Sequence, residues 1–292
     1  MHTTRTVATI LTFYLLLVGF VGATRVNAQS PEVQQEVILL DATVSSVLRK
    51  DQEGTRISEL RELYKSQIEV YRSSEQQYKI AKEQHARLQT LASLEEAVRA
   101  TREALLNRSR VLVTYIQMSR LTLADIPGVE LSQKNLAVSR MDTVERKLLD
   151  HQDSVLNTQT REQIAARVEE FALLQDELEA AIYLSQSLIS HGKVQTIYDQ
   201  ALIVQRDIQT YHNDATASAL IEAERTRAHA ETIRNFEQIK TELRTVMLRI
   251  IDHAEEFDTY NKNNHERMAD DLELPHVHLT QLVGFLEELL RL

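Results

Sequence analysis

Asp270, Asp271 and Glu273 precede His276 and His278, the most suggestive gathering of metal-ligand side chains in the chain. On a helix, residues two apart point about 200° apart, so both imidazoles could hold one ion only if the segment starts extended. The same acids also suit a solvated helix start, where carboxylates complement the dipole of a helix opening at Pro275. On that account no metal and no cofactor is expected, and His276 and His278 are the residual metal candidates. Other chemistries fail at particular positions. The run His265-Glu266-Arg267-Met268-Ala269 lacks the second histidine that a zinc protease helix carries three residues after its Glu. A di-metal bundle needs Glu-x-x-His on two facing helices; Lys82 stands three before His85, and Pro275 interrupts Glu273 and His276. With no cysteine there is no thiol nucleophile, thiolate zinc site or disulfide. No catalytic residue is expected, and the protein is read as a non-enzyme.

A different pattern runs from 57 to 92. Tyr64, Tyr71 and Tyr78 recur every seven residues and His85 continues the step. Positions seven apart share a helix face, so three phenols and an imidazole line one edge of a long helix. Tyrosine gives large contact area at low entropic cost, which makes this edge the expected partner-binding surface. The structural alternative seats each ring half-buried in a helix seam with its hydroxyl reaching water. Arg99, Arg102, Arg108 and Arg110 add a mildly basic patch beyond it.

The elements that must carry these residues are helices. Six glycines and three prolines in 292 residues cannot supply the turns of a many-stranded β fold or a glycine phosphate loop. Punctuation predicts helices near 32–50, 56–122, 131–156, 160–190, 193–212, 215–262 and 276–291. Gly54 ends the first, and Ile126-Pro127-Gly128 makes the clearest central break. Thr160 with Gln163 opens a helix as a capping box, and His191-Gly192 closes it. Ser93 with Glu96 has capping spacing inside the long second helix, which bends or splits there. Three-four apolar spacing then defines narrow seams. These are Val33 to Val47; Ile164, Val168, Phe171, Gln175, Leu178, Ile182, Ser185 and Ile189; Val194, Ile197, Ala201, Val204, Ile208 and Tyr211; and Ile239, Leu243, Val246, Ile250, His253, Phe257 and Tyr260. Their period predicts left-handed, knobs-into-holes packing. The last helix carries Leu279, Leu282, Leu286 and Leu289, widened by Val283, Phe285 and Leu290, and must bury that face. The fold expected is all-α: long antiparallel helices in a coiled-coil-like elongated bundle.

Residues 1–28 are set apart as a signal peptide: Arg5, an apolar run over 7–23, then Val26-Asn27-Ala28 as a cleavage site before Gln29. Uncleaved, residues 7–23 would be an anchor with the rest outside the cytoplasm. The organisation expected is 1–28, an N-terminal long-helix region at 29–125 bearing the tyrosine ladder, and C-terminal helical hairpins or a bundle at 126–292. Removing 1–28 takes away Arg5 and Arg25 and no acids, leaving 43 acidic against 31 basic residues, a formal charge of −12. That excludes a nucleic-acid partner, which needs a basic face. Membrane contact is expected only through an uncleaved anchor. The function expected is an exported, secreted or periplasmic coiled-coil structural or adaptor protein. It acts on a protein partner, a second copy included, through helix-to-helix contact. The alternatives are a helical-bundle ligand-binding or sensor domain and a helical membrane-active pore former, whose hint is the semi-apolar stretch 111–131. The sequon Asn107-Arg108-Ser109 is read as a chance occurrence.

Overall fold

The computed structural model describes the backbone of residues 36–214, 219–255 and 260–291, and side chains from residue 54 on within them, Ala219 excepted. The signal segment and the seam from Val33 to Val47 lie outside the described side chains, as does Phe257. Six helices and no strand occur among the described residues: α1 (Glu36–Leu88), α2 (Leu91–Asp125), α3 (Leu131–Leu156), α4 (Arg161–Asp214), α5 (Ala219–Glu255) and α6 (Lys262–Leu289). No described helix is long and apolar enough to cross a membrane. Contacts divide the chain into Met1–Lys50 and Asp51–Leu292. The first unit shows the helical start of α1, and the second holds the other described helices.

Within it, ion pairs and hydrogen bonds fix helix directions. Gln117 donates to Glu145 at 2.6 Å and Arg120 reaches Asp142 and Glu145, so α2 and α3 run antiparallel. Lys147 pairs with Glu177, and His151 Nε2 lies 2.9 Å from the Arg167 carbonyl, tying α3 to the first half of α4. His191 Nε2 donates to the Leu243 carbonyl at 2.9 Å, and the Tyr198 and Phe236 rings meet edge to face at 5.5 Å, setting α5 antiparallel to α4. Arg249 pairs with Asp271, and His278 Nδ1 lies 2.9 Å from Glu242, setting α6 antiparallel to α5. The result is two helical groups that share one helix. α2 and α3 pack on the first half of α4, and α5 and α6 pack on its second half.

α4 can serve both groups because its 54 residues carry two seams. Ile164, Phe171, Leu174, Leu178, Ala181, Ser185, Leu188 and Gly192 are buried at three-four spacing, with Arg167 half-buried in the same series. A second series takes over at Ala180, Leu184, Ser187 and His191 and continues through Val194, Tyr198, Ala201, Gln205, Ile208 and His212. One-residue offset turns the second seam about 100° from the first. Where they overlap, from 180 to 192, the helix is enclosed on most sides. Ala180, Ala181, Ser185, Ser187 and Gly192 are the small side chains such enclosure demands.

Several expectations change accordingly. Gly192 closes no helix: α4 runs straight through it. A Cβ there would collide with Val129 and come within 2.5 Å of Ile126 in the α2–α3 turn, so glycine is required for close approach. In the 194–211 seam, Val194, Ala201 and Ile208 face inward, but Ile197, Val204 and Tyr211 are exposed. Tyr198, Gln205 and His212 take the inner places. Four-residue steps replaced three-residue ones because the facing α5 also carries aromatic and polar partners there. Val168 is likewise exposed and His253 gives way to Ala254.

Gly54 does not break α1, since nothing crowds it and its neighbours are helix formers. The long second helix does split, at Gln89–Thr90, where Thr90 caps α2 through Ser93. The Thr160–Gln163 capping box is present, with Gln163 N donating to Thr160 Oγ1 at 3.3 Å. The last helix begins at Lys262, capped by Asn261, and Pro275 lies buried inside it. Its leucines 279, 282, 286 and 289 are all buried. The described residues form an all-helical fold, as expected.

Candidate functional site

The tyrosine face is built on α1, whose inward positions repeat three-four from Ile57 to His85: Ile57, Leu60, Tyr64, Gln67, Tyr71, Ser74, Tyr78, Ala81 and His85 are buried or half-buried. Two-residue connection at Gln89 and Thr90 folds this seam antiparallel onto α2. The Tyr64 ring lies 5.7 Å from Tyr115, tilted by 47°. Tyr71 is buried near the Arg108 guanidinium, and His85 Nδ1 lies 3.1 Å from Ser93 Oγ beside the turn. The Lys82 ammonium sits 5.7 Å from the Tyr78 ring. The structure therefore places all four ladder residues on one face, and that face lies over the chain's own α2.

Burial sets the electrostatics of this face. The Tyr64 phenol is pushed up to about 12, mainly by desolvation and then by Tyr115 beside it. Tyr71 is also raised by burial, against the opposing pull of Arg108. Arg108 stacks on Phe171 at 4.0 Å from its centroid. Burial works against its charge, which Tyr71, Glu75 and Glu179 support. A stacked planar cation of this kind joins α1, α2 and α4 with one side chain.

Beyond Tyr115 the aromatic contacts continue inward. Gln186 Nε2 donates to Tyr115 Oη at 2.5 Å. The Tyr183 ring stacks on His265 at 5.6 Å, and Tyr183 is pushed up to about 12 by burial and by Glu179 and Glu266. His265 Nδ1 meets Ser187 Oγ at 3.0 Å, and Tyr260 Oη donates to the same oxygen at 2.7 Å. A serine beside a histidine has the composition of a nucleophile and its base. Ser187, however, has no exposed surface, and Tyr260 already occupies its oxygen. The arrangement leaves no approach for a substrate carbonyl and acts as a polar tie between α4 and α6.

None of these partners was visible from spacing along one helix, because Arg108, Tyr115, Tyr183 and His265 become neighbours only through the packing of α1, α2, α4 and α6. The basic patch disperses: Arg99 pairs with Glu96, Arg102 donates to the Thr158 carbonyl, and Arg110 donates to Asn107. The sequon is enclosed, with Asn107 and Ser109 both buried.

His276 and His278 lie within helical α6, so the extended start that joint chelation requires is absent. His278 pairs with Glu242 and His276 is exposed. Among the described residues no three His, Asp or Glu side chains gather as metal ligands. Two histidines that sequence reading passed over do meet: His212 Nδ1 lies 3.0 Å from His229 Nε2, across α4 and α5. Both are lowered by burial, then by the Arg225 charge, which makes that spot unfavourable for a cation. A shallow groove of about 340 Å³ also runs between these helices, lined by Tyr198, Leu202, Gln205, Ile233, Phe236 and Lys240. No protein-family model matches the chain, and neither a curated protein nor a solved structure does.

Proposed function

We propose that this chain is an exported, non-enzymatic structural or adaptor protein whose long, coiled-coil-like helices present faces to other helices. Residues 1–28 are its signal segment, and secretion or the periplasm its destination. Its working surface is the ladder of Tyr64, Tyr71, Tyr78 and His85. The observation that carries this reading is the make-up of that seam. The seams of α3, α5 and α6 are dominated by apolar side chains, whereas the ladder docks a helix through rings with polar tips, with Gln67 and Ser74 between them. Such a surface tolerates water when undocked and so suits reversible contact. A row of three exposed side chains spaced seven apart on α4, Ile197, Val204 and Tyr211, offers a further contact face.

The test is a photo-reactive phenylalanine analogue at Tyr78, activated in the native cell, together with N-terminal sequencing of the product. Adducts to a second polypeptide on a protein starting at Gln29 support the proposal. Adducts confined to the chain itself, or retention in the cytoplasm, contradict it.

A further inference from the structure

The α1–α2 hairpin is held shut by an unusual connection. Two residues, Gln89 and Thr90, reverse the chain, and neither is a glycine or proline. Indeed none of either occurs from Thr55 to Ile126. Gln89 has φ 50, the left-handed conformation that side chains with a Cβ resist. That strain shifts the balance against the closed turn by roughly tenfold. Holding it closed are the Thr90–Ser93 cap and the contact of His85 with Ser93. The same stretch could run on as one helix, with backbone bonds continuous where the turn interrupts them.

We propose that the hairpin opens at this hinge and that two copies exchange α1. The tyrosine face of each seats on the Tyr115 and Arg108 face of the other. The inference rests on the reading of the ladder as a docking surface and names its partner as a second copy. What covers the face is settled by complementarity: the groove left by α1 is shaped by Tyr115, Arg108 and Phe171 for the ladder that already fills it, and an identical helix fits it equally well. Exchange repeats every closed contact between chains and relieves two strained hinges, opposed by the entropy of association. Short strained connections favour this outcome.

Size-exclusion chromatography with light scattering on the full chain, across a concentration series, measures the exchange. The expected result is a slowly interconverting monomer and dimer. Gln89→Gly, which adopts the left-handed turn freely and weakens a continuous helix, should raise the dimer dissociation constant by about 30-fold or more. The double change Gln89→Ala with Thr90→Ala removes the cap and should lower it by about tenfold. The natural chain has no cysteine, so Tyr64→Cys with Tyr115→Cys, joined by a short bis-maleimide, reports topology. Dimers linked between chains under denaturation support exchange. A wild type that stays monomeric at all concentrations, with neither hinge variant shifting it, overturns the proposal. Dimers carrying only within-chain links overturn it too, while leaving helix-to-helix docking intact. Circular dichroism on each variant separates misfolding from either outcome.

Discussion

At the residue scale, the side chains under most constraint are those packed where nothing larger or more highly charged fits. Gly192 meets Ile126 and Val129, so Gly192→Ala should overpack the junction and cost about 1–3 kcal/mol. Thermal melting would show a drop of several degrees, and an unchanged melting temperature would refute the close approach. His191 is buried, donates through Nε2 to Leu243, and leaves Nδ1 without a partner. Burial lowers it, as it lowers His212, His229 and His265. The unfolded chain thus binds protons that the folded chain refuses. Stability from these groups is complete above the ordinary imidazole value near 6.5 and falls as pH drops below it. Urea unfolding should give a lower midpoint at pH 5.5 than at pH 7.5. In His191→Gln that gap should narrow, because the amide can still donate to Leu243 but cannot ionise. An identical gap in the variant would show that His191 does not contribute.

At the scale of the element, α4 decides what can be tested by substitution. Ala201 is 7% exposed and Val204 is 43% exposed, so the same charge has opposite consequences one turn apart. Ala201→Asp buries an unpaired carboxylate and should cost several kcal/mol. Val204→Asp should cost about 0.5 kcal/mol or less. Equal losses in denaturant melts would mean that the 197–204–211 row faces inward. That row also marks where sequence reading stopped. Three-four spacing identified Val194, Ala201 and Ile208 but could not choose between the row three residues on, which is apolar, and the row four residues on, which is Tyr198, Gln205 and His212. Hydrophobicity favoured the wrong one, because the inner positions face polar and aromatic groups on α5. The four leucines of α6 were legible because they match one period, but Val283, Phe285 and Leu290, expected to widen that buried stripe, are exposed, since one face of the helix is enough to meet its neighbours. The split before α2 was legible near Ser93 from capping spacing, but the reversal was not, since Gln89 carries no turn signature and only its backbone reveals it.

For the molecule as a whole, the all-helical character was legible from the scarcity of glycine and proline, while the sharing of α4 was not. Overlapping seams read along the sequence as one blurred stripe, and Gly192 looked like the end of a helix. The tyrosine ladder was legible as a face; what it faces was not, because α1 carries no record of the arginine and tyrosine on α2 that receive it. The continuity of α4 is the claim on which the packing of both helical groups depends. It is tested most directly by the distance between spin labels at Leu173 and Ile203, exposed sites in its two halves. Thirty residues of unbroken helix predict a narrow distribution centred at about 45 Å. A distance below about 35 Å would instead mean that the helix breaks near Gly192, and the shared-helix architecture would be wrong.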